Sequence, residues 1–327
     1  MGTRVLITGG AGFIGSHLAE HLLQNGNIVY ILDNLSTGSL GNISHLRSNA
    51  HLDFVHGSVT DRNLLAQLIQ RVDVVYHLAA SVGVKLVVEE LVESIENNVR
   101  GGEAVLAVAS ELGKKVLLTS TSEVYGRGCR EVFSEEDDLA MGPTTKGRWS
   151  YACSKALDEY MAFAYHIERE LPVTVVRLFN TTGERQSSHY GMVLPTFVKQ
   201  AIAGNPLTIH GDGQQSRCFC HVSDVVGALH QLMESDQANG EVYNVGSTNS
   251  VTIDELADRV IELTGSRSEK VYVPYEEAFK QGFEDVTKRV PDISKLQKLI
   301  GFKPSLTLDD IIIRLREHIA IHMFSNP

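Results

Sequence analysis

The sequence predicts an α/β fold, a doubly wound parallel sheet with a smaller, discontinuous C-terminal lobe. Three observations lead to it. From the N-terminus to Asn180, apolar runs that end in glycine or small polar residues alternate with stretches whose apolar residues recur at helical spacing. The first run, Val5–Ile7, breaks into glycines at 9, 10, 12 and 15 and then into the amphipathic Ser16–Leu23, which is the order strand, tight turn, helix. A length of 327 residues suits one large α/β unit with a small lobe built onto it.

Gly10, Gly12 and Gly15 fit G-x-G-x-x-G, and Gly9, Gly12 and Gly15 fit G-x-x-G-x-x-G equally well. Small residues here let the backbone approach a pyrophosphate, which free N–H groups and the dipole of the helix opened by Phe13 and Ile14 stabilise. A second apolar run, Ile28–Leu32, ends in Asp33, about 20 residues on, where the ribose-binding acid of a Rossmann-type dinucleotide site is expected. A carboxylate there accepts from a ribose 2′-OH and repels a 2′-phosphate. Val29–Leu35 contains no cation, so the expected cofactor is NAD rather than NADP. Asn34, Ser36, Thr37 and Gly38 form a loop close enough to Asp33 to lie over the adenosine ribose.

A third strand, Leu52–Val55, leads to a helix from about Arg62 to Gln70. Asp61 either caps that helix or touches adenine, capping being the commoner use of such a residue. Asp73–Ala80 reads as a buried strand followed by small residues, and Leu78, Ala79 and Ala80 suit a cofactor lying across the strand ends. Val92–Leu112 reads as a long helix and Lys115–Thr119 as the strand that delivers Ser120–Gly126 to the carboxyl edge of the sheet. A polar loop runs through Gly147, and Trp149 opens a helix in which Tyr151 and Lys155, at i and i+4, share one face. Pro172–Phe179 is again a strand. Beyond it the pattern mixes a helix near Met192–Ala203, strands at Leu207–His210 and Arg217–Val222, helix Ser223–Glu234 and strand Glu241–Val245. The expected division is residues 1–180 with 217–248 returning to them, and 181–216 with 249–327 as the second lobe.

The formal charge of −11 argues against a nucleic-acid partner, since phosphate binding draws on clustered Lys and Arg. No apolar stretch is long enough to cross a membrane, and the N-terminus runs straight into the first strand without room for a signal peptide. A cytoplasmic protein is expected. Cys129, Cys153, Cys218 and Cys220 lack the spacing of a zinc site or a disulfide framework, so reduced, buried thiols are expected.

Tyr151-x-x-x-Lys155 after a Ser/Thr-rich strand end makes physical sense as a proton-transfer unit. A neighbouring ammonium and a positive nicotinamide ring both stabilise tyrosinate. Thr121 can hydrogen-bond the same substrate hydroxyl and fix its direction, while Tyr151 takes the proton as hydride leaves the carbinol carbon.

The glycine fingerprint, Asp33, Thr121, Tyr151 and Lys155 together resemble the extended short-chain dehydrogenase/reductase superfamily, specifically its nucleotide-sugar epimerases, decarboxylases and dehydratases, over nearly the whole chain. The resemblance implies a UDP-sugar substrate and a homodimer built from two helices per subunit, here Val92–Leu112 and Tyr151–Glu170. It implies substrate contacts at Asn180, at Arg217 on the diphosphate side, and at Arg289 as a second phosphate contact. Lys85 and Arg185 are further candidates, Arg185 for orienting a carboxylate. Glu123, two residues after Thr121, is similar to the acid of UDP-glucuronate decarboxylases and sugar dehydratases, and Gly142–Tyr151 and Arg217-Cys-Phe resemble the decarboxylase domain of the bacterial UDP-4-amino-arabinose pathway. Ser81–Glu89 and Asn34–Gly38 look more like UDP-hexose 4-epimerases. The function implied is oxidation of a nucleotide sugar at C4 with later return of the hydride, UDP-glucuronate decarboxylation first and UDP-sugar 4-epimerisation as the alternative. A dinucleotide-sensing scaffold would be expected to lack part of the Thr/Tyr/Lys set, and all three residues are present.

Overall fold

The computed structural model describes residues 2–81, 91–128, 130–187, 192–278 and 289–324. Its main sheet holds β1 (Arg4–Thr8), β2 (Ile28–Asp33), β3 (Leu52–His56), β4 (Val74–His77), β5 (Lys115–Thr121), β6 (Val173–Leu178) and β7 (Glu241–Val245). All are parallel, in the order β7-β6-β5-β4-β1-β2-β3. The helices that cover it are α1 (Phe13–Gln24), α2 (Arg62–Gln70), α3 (Leu91–Glu111), α4 (Trp149–Arg169) and, beyond a lobe helix α5 (Val193–Ile202), α6 (Val222–Glu234). The doubly wound sheet expected from the sequence is therefore the one found.

Alternation along each strand sends side chains to opposite faces. Val5 and Ile7 pack with Leu18 and Leu22 of α1 and Val225 and Leu229 of α6. Leu6, between them, packs with Leu65 of α2, Val105 of α3 and Ala162 of α4 on the other face. Strand order reverses between β1 and β4, and this opens a crevice at their carboxyl ends, the usual place for a ligand in such sheets.

The second lobe has its own core of Leu194, Phe197, Leu207, Ile209, Leu256, Val260, Ile311 and Leu315. Those residues come from α5, the strand Leu207–His210, α7 (Ile253–Thr264) and the terminal helix Leu308–Phe324.

Two sequence expectations change. The run Arg217–Val222 is not one strand: Ser216–Cys218 pairs antiparallel with Ser250–Thr252, whereas Cys220–His221 pairs parallel with Thr181–Thr182. Phe219, between them, enters the lobe core while Cys220 enters the sheet core, so this segment crosses from one core to the other. The return to the sheet core begins at Cys220 and continues into α6. The thiols of Cys218 and Cys220 are buried as expected, but Cys153 is exposed, because it lies on the outer side of α4. Cys129 lies outside the described residues. Among the described residues no helix is long and apolar enough to cross a membrane, and no cluster of His, Cys, Asp and Glu could hold a metal ion.

Candidate active site

The glycine turn joins β1 to α1 at the crevice. Gly9 has φ +73°, and a Cβ on Gly15 would lie 2.2 Å from the Gly9 carbonyl oxygen, so these two glycines let helix and turn interlock. Gly12 is different. It is the N-cap of α1 in extended conformation (φ −76°, ψ −177°) with no side chain capping the helix, and a Cβ there would touch only Gly9 O, at 3.1 Å. Its missing side chain leaves the mouth of the helix open from outside, as a pyrophosphate cradle requires.

Asp33, at the end of β2, is buried and accepts from Ala11 N (2.9 Å) and Leu35 N (2.8 Å), which ties the glycine turn to the Asn34–Gly38 loop. Asn34 Oδ1 accepts from Ser36 N and Ser36 Oγ and shapes that loop. Leu78, Ala79 and Ala80 follow β4, and Leu78 N and Ala79 N donate to Thr8 O and Oγ1. Open helix end, ribose-side acid and small strand-end residues together fit a dinucleotide. Asp61 is used as the N-cap of α2, accepting from Asn63 N and Leu64 N.

Across the crevice, β5 ends at Thr121, whose hydroxyl accepts from Glu123 N at 3.2 Å and caps a short 3₁₀ turn, Ser122–Tyr125. Tyr151, in the first turn of α4, lies close enough to Thr121 for that hydroxyl to favour the tyrosinate form, so the fold brings the two residues together. Burial and the charges of Glu123 and Asp158 push the Tyr151 phenol well above its ordinary range, and the Thr121 hydroxyl only partly opposes them. Lys155 departs from expectation: its Nζ lies 2.8 Å from Asp158 Oδ2, one turn further along α4, with both side chains buried. Asp158 fits there because Gly102 on α3 presents no side chain; a Cβ on it would lie 2.5 Å from Asp158 Oδ1. In this state Lys155 is held by a carboxylate, and Tyr151 is a neutral phenol.

Glu123 is gripped from two sides. Arg289 Nη1 donates to its Oε1, and Arg148 Nη2 lies 3.5 Å from its Oε2. Burial alone would raise the Glu123 carboxyl, but Arg289, Arg148 and Arg217 hold it below the usual carboxylate range. Arg217 and Arg289, both singled out in the sequence, thus act on Glu123, singled out with them. Asn180 stands beside them, its Nδ2 donating to Cys218 O next to Arg217.

Arg148 was missed. It immediately precedes α4, three residues before Tyr151, so helical spacing alone carries it to the same side as Tyr151. Arg185 lies elsewhere. Its guanidinium bonds His17 and Glu20 of α1 and Asn42 O, and Asn42 in turn donates to Ala11 O, so Arg185 braces the back of the glycine turn. A φ of +65° at Arg185 turns it that way, and its three nitrogens already have partners there. Lys85 lies outside the described residues.

The family model described as GDP-mannose 4,6 dehydratase matches residues 6–315. A Bacillus cytotoxicus protein named UDP-N-acetyl-alpha-D-glucosaminuronate decarboxylase is 43% identical over 308 residues, 94% of each chain. UDP-glucuronic acid decarboxylase 6 of Arabidopsis thaliana is 34% identical over 98% of this chain and 90% of its own length. The UDP-glucuronic acid 4-epimerase of Bacillus cereus, solved with UDP-glucuronic acid and NAD, superposes with a TM-score of 0.87 at 28% identity, covering 97% of this chain and 99% of the epimerase. The chain belongs to the GDP-mannose 4,6-dehydratase family, within the extended short-chain dehydrogenase/reductase superfamily that its sequence resembles.

Proposed function

We propose that the protein is an NAD-dependent decarboxylase of a UDP-hexuronate. The observation that carries this reading is the Glu123 carboxylate beside Thr121, set among Arg148, Arg217 and Arg289. A 4-epimerase needs only to turn a keto-sugar over, whereas a decarboxylase must receive a carboxylate and then supply a proton at C5. Guanidiniums at the strand end suit the first requirement, and an anion that orders water suits the second. The names of the relatives support the same reading.

Gly12 and the first turn of α1 would hold the pyrophosphate of NAD, Asp33 the adenosine ribose, and Ala79 and Ala80 the space beside them. Bound NAD⁺ supplies the hydride acceptor at C4. Thr121 orients the C4 hydroxyl and Tyr151 accepts its proton, which requires Tyr151 to reach its anionic form. Transfer of Lys155 from Asp158 toward Tyr151 is the local change that favours that form. The C4 ketone places the sugar carboxylate β to a carbonyl, so loss of CO₂ leaves an enolate that the carbonyl stabilises. Protonation at C5 then comes through water ordered at Glu123. Arg217 and Asn180 face the diphosphate side.

The working unit proposed is a homodimer through the outer faces of α3 and α4, where Val92 (73% exposed), Ile95, Leu157, Tyr160 and Ile167 (77% exposed) are apolar and open. The proposed compartment is the cytoplasm, in keeping with the free thiols of Cys153, Cys218 and Cys220. The test of the reaction is product analysis with UDP-glucuronate and UDP-N-acetylglucosaminuronate side by side, each with NAD⁺. Release of CO₂ and a sugar one carbon shorter supports the reading and names the substrate. Interconverted C4 epimers without CO₂ would replace it with the epimerase.

A further inference from the structure

Next to Thr121 on its strand, and on the helix that bears Tyr151, lies a buried polar network. Arg177 on β6 and Glu159 on α4 are 6% and 4% exposed. The guanidinium grips the carboxylate in a fork, Nη2 to Oε2 at 2.7 Å and Nε to Oε1 and Oε2 at 3.1 and 3.2 Å. Three further bonds leave this pair: Arg177 Nη1 donates to Glu135 O at 3.2 Å, and the other two go to the strand-end segment. Ser120 Oγ donates to Glu159 Oε1, and Arg177 Nη1 donates to Tyr125 OH at 3.0 Å. Tyr125 OH then donates to Asn244 Oδ1 on β7 at 2.7 Å, and the Arg177 guanidinium lies over the Tyr125 ring.

Ser120 precedes Thr121, and Tyr125 closes the 3₁₀ turn that Thr121 caps. The segment that carries Thr121 and Glu123 is therefore fastened at both ends to a single ion pair. Glu159 follows Lys155 by four residues and Tyr151 by eight, so all three lie along one face of α4. One carboxylate thus fixes the helix bearing Tyr151 and the strand end bearing Thr121 relative to each other. A buried pair of this kind contributes little net stability against an apolar replacement, which leaves its geometry to be explained.

We propose that Arg177 and Glu159 are positioning residues for proton transfer, setting the distance between Thr121 and Tyr151 through Ser120 and Tyr125. This rests on the proposed roles of Thr121 and Tyr151. Such a function predicts loss of turnover without loss of binding, since the pair lies next to the strand end rather than at the glycine turn or among the arginines.

Arg177→Lys keeps the charge and removes the fork that reaches Glu159 and Tyr125 together. The expected result is a fall in kcat of about 10²-fold, the scale for a misplacement of roughly 1 Å, with KM for the UDP-sugar and the Kd for NAD⁺ unchanged. The acid limb of the pH–rate profile should move to higher pH, because a displaced Thr121 hydroxyl no longer favours the Tyr151 anion. A second variant separates position from folding: Glu159→Leu with Arg177→Met replaces the buried pair by apolar groups and should fold. Loss of kcat in this folded double variant supports the proposal. Wild-type kcat there, or an Arg177→Lys enzyme whose melting point falls while kcat and the pH profile stay in place, overturns it. Tyr151→Phe is measured alongside. If it retains turnover, the underlying reading of Tyr151 fails; if it loses turnover while the Arg177 and Glu159 variants do not, only the positioning role is lost.

Discussion

Gly12→Ala should separate the fold from the cofactor site. The backbone of Gly12, φ −76° and ψ −177°, is open to any residue, and an added Cβ would meet only Gly9 O at 3.1 Å. The turn can absorb that contact by a shift of a few tenths of an ångström. Restricting the unfolded chain returns about 0.4–1 kcal/mol at a compatible glycine, so the unfolding midpoint should stay near that of the wild type. The same methyl stands at the open end of α1, where phosphate oxygens must approach the N–H groups. Losing one charge-assisted hydrogen bond costs about 1.5–3 kcal/mol, which is roughly a 10- to 150-fold weaker Kd for NAD⁺. Gly15→Ala is the contrast. Its Cβ would lie 2.2 Å from Gly9 O, far inside an ordinary contact of 3.4 Å or more, so α1 must move and both stability and binding should fall. Calorimetric titration with NAD⁺ and thermal unfolding of the three proteins decide the matter. Wild-type affinity in Gly12→Ala, or a midpoint as low as that of Gly15→Ala, would refute the assignment of this helix end to the pyrophosphate.

Tyr151→Phe should keep NAD⁺ binding and lower turnover about 10²–10⁴-fold, the range for a positioned acid or base; near-normal turnover would remove Tyr151 from the mechanism. Asp158→Asn removes a charge that raises the Tyr151 phenol and loosens the hold on Lys155, so the acid limb of the pH–rate profile should move to lower pH. A limb that stays put would show that the Lys155–Asp158 pair does not govern Tyr151. Glu184 is held down to about 2, mainly by its bond to His221 against the opposing effect of burial. A carboxyl with a depressed folded pKa stabilises the fold above its unfolded pKa and loses that contribution as pH falls through the folded value. Glu184→Gln should therefore lower the unfolding midpoint at neutral pH and converge with the wild type as pH falls from the ordinary carboxylate range toward 2; a constant gap would contradict this.

The central sheet was legible because strands buried on both faces read as continuous apolar runs, and helix α2 was legible to its last residue because Asp61 marks its start. Asp33 and the glycines were placed by spacing alone. Thr121 and Tyr151 required the fold to bring them together, yet the strand end and the first turn of a helix are local features that a sequence displays. The Glu123 cluster is of another kind. Its bond to Arg289 spans 166 residues and depends on the pairing of Val290–Pro291 with Val132–Phe133, which no local pattern reports. Lys155 illustrates a signal present and unread: Asp158 stands one helical turn away, the spacing of an i,i+3 pair. Arg185, a candidate for orienting a carboxylate, is engaged at α1 instead, at a residue in a left-handed turn that no sequence pattern marks. The division of Arg217–Val222 escaped for a similar reason, since apolar alternation continues through Phe219 while the chain changes partners.

Decarboxylation and epimerisation differ at C5, and solvent deuterium reads that carbon. The most direct measurement is proton NMR of the enzyme with NAD⁺ and a UDP-hexuronate in D₂O, followed with CO₂ release. A decarboxylase that protonates C5 from water held at Glu123 gives a UDP-pentose (2-acetamido when the substrate is) with one deuterium at C5 and none at C4, in step with CO₂. A C4 epimer of the starting sugar, with its carboxylate retained and no deuterium at C5, would contradict the account.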